Sequence, residues 1–120
     1  MTAARIYTAH IAGDSGSNID DVVEVISMMG SGKVNPASMI THVGGLDSVV
    51  ETTLNLPNIK GGKKLIYTHI SMPLTAIADF EKLGETDPMF KKLAEIVAAN
   101  NGLWCYEAEK YLLANAKSID

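Results

Sequence analysis

Cysteine is nearly missing from this chain: Cys105 is the only one in 120 residues, so no internal disulfide can form. A lone thiol also cannot build a structural zinc site, which takes four Cys or His ligands. Reducing surroundings are the simplest reading. Positive charge is short as well, with 10 Lys and Arg against 14 Asp and Glu and a formal net charge of -4. No basic run tracks along the chain, which argues against nucleic acid as a partner. Long apolar runs are lacking too. Nothing approaches the roughly 18 to 20 residues of a membrane span, and the N-terminal MTAARIYTAH has no apolar signal core. A soluble, cytoplasmic protein without membrane contact is the expectation. A length of 120 residues can bury one modest core, so the chain is one domain or part of one.

Short strand-like and helix-like segments alternate. Arg5 to Ala12 (RIYTAHIA) is rich in β-branched and aromatic residues and ends in the turn-forming run GDSGSN, which predicts a strand entering a loop. Asn18 is a plausible helix N-cap. After it Ile19, Val22, Val23, Ile26 and Met29 recur at helical spacing, with Asp20, Asp21 and Glu24 at the positive end of the dipole. Gly30 and Gly32 end that helix. A second unit runs from an extended Ser38 to Val43, through a break at Gly44-Gly45, into a helix with Leu46, Val49, Val50 and Leu54 on one face, stopped by Pro57. Lys63 to Ile70 predicts a largely buried strand. Beyond Ser71 the signals turn helical. Thr75 can cap a short helix through Phe80 and Leu83, and Asp87-Pro88 starts another that carries Met89, Phe90, Leu93, Ile96 and Val97 inward. Tyr106 to Ala116 predicts a last helix resting on Ala108, Tyr111 and Leu112. A parallel or mixed sheet of so few strands would be left with unpaired edges, as if it expected neighbours.

Two strings invite over-reading. GDSGS at 13–17 shares its letters with the stretch around a serine-protease nucleophile, but the chain is too short for the scaffold that would bring a base and an orienting acid to it. GSGK at 30–33 lacks the earlier glycine and the following Ser or Thr of a phosphate loop, and it follows a helix instead of a strand. It reads as a helix stop. His10, His42 and His69 each lie in an apolar, strand-like run without carboxylates or thiols at ligand spacing, so they read as strand histidines and no metal site is expected. The GDSGSN loop, after a strand and before a helix, occupies a place where doubly wound sheets hold ligands, and where plain connectors also occur.

The order of the pieces Ile11 to Gly13, Asn18 to Met29, Ser31-Gly32-Lys33, Pro36, Met39 to His42, Leu46 to Leu54 and Lys63 to Thr68 resembles the end of the medium-chain, zinc-type alcohol and polyol dehydrogenases. In that family a cofactor-domain strand, a loop and a helix stopping at "(S)GK" lead through a Pro and an "(L/M)ITH" strand into the catalytic domain. The resemblance covers about the first seventy residues. The remaining helical part is similar to the C-terminal extension of a sorbose-phosphate reductase branch.

The resemblance implies an α/β fold: a partial Rossmann-like, C-terminal portion of a dehydrogenase. Residues 1–37 would end the cofactor-binding portion, 38–70 would form a returning strand, helix and strand of the catalytic domain, and 71–120 a helical extension. It implies that His10, Ile11 and Ala12 pass the nicotinamide of NAD or NADP with their backbone groups, and that Lys64 reaches the cofactor pyrophosphate. Lys keeps the charge of an Arg there but not its fork geometry. Thr41 and His42 match the family motif and read as structural. The parent that the resemblance implies would use zinc and a nicotinamide cofactor on a small polyol or ketose, with or without a phosphate, whereas this chain has neither a GxGxxG fingerprint nor a Cys/His/Glu zinc set. No catalytic residue is therefore assigned to it, and no tightly held cofactor is expected. Its partner would be the remainder of the dehydrogenase. The competing readings are a short interaction module that self-associates and a small ligand-binding domain using the GDSGSN loop.

Overall fold

The computed structural model describes residues 16–119. The expected strand at 5–12, and with it His10, Ile11 and Ala12, lies outside the described residues. Chain contacts divide the molecule into two compact units, Met1–Asn35 and Pro36–Asp120.

In the first unit, helix α1 spans Ile19–Gly30. Its start is a reciprocal capping box: the Asp21 amide donates to Asn18 Oδ1 and the Asn18 amide donates to Asp21 Oδ2, each at 2.9 Å. Its end explains the GSGK string. Gly32 takes a left-handed φ of 72°, the Gly32 amide donates to the Met29 carbonyl, and the Lys33 amide donates to that of Met28. This paired closure needs a residue that tolerates positive φ. No residue of α1 is buried.

The second unit opens with a 3-10 turn, Pro36–Met39, and strand β1, Ile40–Gly45. Another 3-10 turn, Leu46–Ser48, leads into helix α2, Val49–Asn55. Strand β2 is Lys63–Tyr67, followed by the two-residue strands β3, Ile70–Ser71, and β4, Thr75–Ala76. Helices α3 (Phe80–Leu83), α4 (Pro88–Ala99) and α5 (Tyr106–Asn115) follow, and strand β5, Lys117–Ser118, closes the described chain. One sheet has the order β2-β1-β4, with β1 parallel to β2 and antiparallel to β4; a second pairs β3 with β5 antiparallel. The fold is mixed α/β, as expected.

Several expected elements change shape. Gly44-Gly45 belongs to β1 instead of breaking it, because a Cβ on Gly45 would stand 2.2 Å from the Ile70 carbonyl oxygen. Glycine here permits backbones to approach closely, and the Gly45 amide donates to the Met72 carbonyl at 2.8 Å. The expected strand 63–70 is two strands with a turn at 68–69. Thr75 extends into β4 and does not cap a helix; α3 begins only at Phe80. The apolar side of α2 faces outward, and Thr52 is its buried residue.

The core gathers Val43 and Ile70 with Met72, Phe80, Phe90, Leu93, Val97, Trp104, Ala108 and Leu112. Phe80 stacks between Phe90, 5.5 Å away, and Trp104, 6.3 Å away, at angles favourable for aromatic pairs. Most of these side chains come from beyond Ser71, so the helical tail is the body of this unit and not an appendage. The β1–α2 junction is tied to β3 by Asp47, whose carboxylate accepts from Ser71 Oγ and from the Met72 amide. These two donors hold its carboxyl below the usual carboxylate range.

Candidate functional site

The parallel pairing of β1 with β2 sets His42 opposite Lys64, with a register irregularity at Thr41. Lys64 then turns its ammonium back onto the preceding loop, donating to the carbonyls of Gly62 at 2.7 Å, Ile59 at 3.2 Å and Gly61 at 3.3 Å. An ammonium has three N–H donors, so all three have an acceptor. The loop in turn presses on β1. Gly61 has a φ of 107°, and a Cβ there would lie 2.8 Å from Thr41 Oγ1; a Cβ on Gly62 would lie 2.2 Å from the Met39 carbonyl oxygen. The glycines therefore bring the loop, and the positive charge it carries, against the start of β1.

Thr41 Oγ1 and His42 Nδ1 are hydrogen-bonded at 2.8 Å. Burial first, and then the charge of Lys64, push the pKa of His42 below its usual 6.5, while Asp79 pulls the other way. The imidazole is thus mainly neutral around pH 7, able to accept a proton or a hydrogen bond. It lines a cleft of about 580 Å³ with Glu51, Thr52, Asn55 and Asp79 on its polar side and Leu74 on its apolar side. Thr52 is 8% exposed, and its hydroxyl oxygen has no hydrogen-bond partner among the described residues. A wider groove of about 990 Å³ lies between β1 and the tail helices, with Ile40, Phe80, Val97 and Leu103 among its apolar lining and Glu81 and Glu95 among its charged residues.

Of the residues singled out from sequence, Lys64 is described, whereas His10, Ile11 and Ala12 are not. The structure brings His42 beside Lys64 and places His69 in the exposed turn after β2. Among the described residues no group of three or more His, Cys, Asp or Glu side chains could hold a metal ion, so these residues do not fit a zinc site. Glu51, Thr52 and Asn55 are not among the residues that the sequence singles out; their spacing along a short helix is the one signal they carry there. Asp79, by contrast, reaches the cleft through tertiary folding alone.

No family model matches the chain, and no solved structure matches it. Curated relatives are clear. The chain is 51% identical over 106 residues to a mannitol-1-phosphate 5-dehydrogenase of Aliivibrio fischeri, and 44% identical over 110 residues to an L-sorbose 1-phosphate reductase of Klebsiella pneumoniae. It is 55% identical over 107 residues to the uncharacterized protein YggP of Escherichia coli K12. The chain is homologous to polyol-phosphate dehydrogenases and reductases. These matches take in 88 to 92% of the chain and 25% of each relative, so the chain spans about a quarter of the length of the curated relatives it matches. A match that long necessarily runs into the helical tail, which the relatives therefore share. No helix among the described residues is long and apolar enough to cross a membrane.

Proposed function

We propose that this chain forms the C-terminal part of a dehydrogenase or reductase that interconverts a polyol phosphate and its ketose with NAD or NADP, and that it is not catalytic alone. The observation that carries this reading is the 51% identity to a mannitol-1-phosphate 5-dehydrogenase over 88% of the chain. The bound nicotinamide would accept or deliver the hydride. This chain's part is positional. Lys64 offers a positive charge beside β1 and would meet the cofactor pyrophosphate by exchanging some of its loop carbonyls for phosphate oxygens. His10, Ile11 and Ala12 would offer backbone groups to the carboxamide. Zinc, which the family resemblance also implies, has no ligand set among the described residues, and its ligands would come from the rest of the polypeptide.

The test is a chimera in which the matched quarter of the Aliivibrio enzyme is replaced by this chain. Mannitol-1-phosphate oxidation is expected from the chimera and not from the isolated chain. Lys64→Met in the chimera should raise the KM for cofactor about tenfold, the loss of one phosphate contact worth roughly 1.4 kcal/mol, with Lys64→Arg largely restoring it. An inactive but folded chimera, or turnover by the isolated chain, would count against the proposal.

A further inference from the structure

We infer that the outer edge of β2 and the outward side of α2 form the docking surface on which this chain receives the rest of the dehydrogenase polypeptide. The inference rests on the proposed function and adds to it a surface and the chemistry of what covers it. Among the described residues, β2 pairs with β1 on one side only. Its edge is protected only at one end: no proline interrupts KKLIY, the register irregularity lies on β1 and not on β2, and the charge of Lys63 and Lys64 stops short of Leu65, Ile66 and Tyr67. Such an edge is a template for another strand. Parallel pairs like β1 and β2 are, in addition, normally buried within larger sheets.

The outward side of α2 is a second contact of the same kind. Leu46 in the turn before the helix and Val50 and Leu54 within it recur every four residues and are 45, 71 and 76% exposed. A row of large aliphatic side chains in water is what interaction surfaces display. The occupant therefore has to offer both a strand edge and apolar side chains, which describes an α/β polypeptide. The relatives supply one: the matched region is 25% of each, and the other three-quarters of the homologous polypeptide has to meet this quarter somewhere. The surface fits that larger partner better than a small ligand, because an edge strand and a helix face are not a cavity.

The experiment compares the isolated chain with the Aliivibrio chimera, carrying Val50→Lys and Leu54→Lys in each. Both residues are exposed here, so the isolated chain's melting temperature should stay within about 1 °C of its parent. In the chimera the same changes bury charge at the junction and should lower it by about 5 °C or more. Hydrogen exchange at amides 63–67 should be at least ~10-fold slower in the chimera than in the isolated chain. Equal melting shifts in both backgrounds would place the cover within the chain itself and overturn the surface. So would unchanged exchange, a chimera that does not fold, or a dimer of the isolated chain that these lysines dissociate. A folded chimera without activity that still shows both differences would support the surface while counting against the proposed function.

Discussion

At the scale of single residues, one polar chain in the second unit joins β2, α5 and the loop before α5. The buried Trp104 donates its indole N–H to Tyr67 Oη at 3.0 Å, and Tyr67 donates to Glu109 Oε2 at 2.6 Å. Burial first, then the Glu109 carboxylate, push the tyrosine pKa far above its ordinary 10.0, with the Trp104 hydrogen bond opposing them. Tyr67→Phe removes the acceptor of a buried N–H and should cost about 1–3 kcal/mol, read by urea denaturation. The pH sign follows from linkage. Below pH 10 the tyrosine is neutral in both states; above it the unfolded state ionises while the folded state resists, so stability falls as pH rises. Wild-type stability should therefore decline between about pH 10 and 11, and the Phe variant should show a shallower decline; parallel declines would remove Tyr67 as the cause. Sequence alone could not pair these residues, because they lie 37 and 42 positions apart. Lys64 is singled out in the sequence only through its place in a family motif, while its grip on three loop carbonyls depends on how the loop before β2 folds.

Elements were legible where local chemistry sets them. The Asp87-Pro88 start of α4 is as expected: Asp87 Oδ1 accepts from the Met89 amide at 2.8 Å, and proline occupies the first turn. Asp87→Ala should destabilise the chain by about 1 kcal/mol, whereas Asp87→Ser should recover most of it; thermal melts of both variants check this, and an Ala variant as stable as wild type would show the cap to be dispensable. The helix matters because it carries Phe90, Leu93 and Val97 into the core. Facing was less legible than existence. Periodicity correctly placed a helix after β1, but it could not tell that the apolar stripe of α2 points outward, since a stripe awaiting a partner looks like one already buried. Strands β3, β4 and β5 have two residues each, too few for any alternation to show; they exist because distant segments pair. The turn at 68–69 was hidden for a related reason. Tyr67 and Ile70 flank Thr68 and His69 closely, and no Gly or Pro marks the bend.

For the whole molecule, the α/β class followed from the alternation of segments, yet the centre of mass of the core did not. The resemblance implied a helical extension over residues 71–120, without saying how much of the core it carries. Val43 from β1 shares its core with side chains of that extension, and β5 returns from the end of α5 to pair with β3. Glu109, Ala108 and Leu112 from α5 further bind that end to β2 and to the core. Removing residues 72–120 should therefore leave β1, α2 and β2 without an apolar layer to pack against. Without that layer, the remaining burial cannot offset the conformational entropy of ordering the chain. The truncated chain is expected to lose its cooperative thermal transition, bind a hydrophobic dye and exchange its β1 and β2 amides rapidly. A milder deletion, of residues 106–120, removes Ala108 and Leu112, both fully buried, and the β5 pairing. It should lower the melting temperature by at least 10 °C or so, since two buried side chains and several hydrogen bonds are lost together. A cooperative melt in the 1–71 chain, with slow exchange in β1, would show that the strand-helix-strand portion folds without the tail and that the core has been assigned to the wrong half.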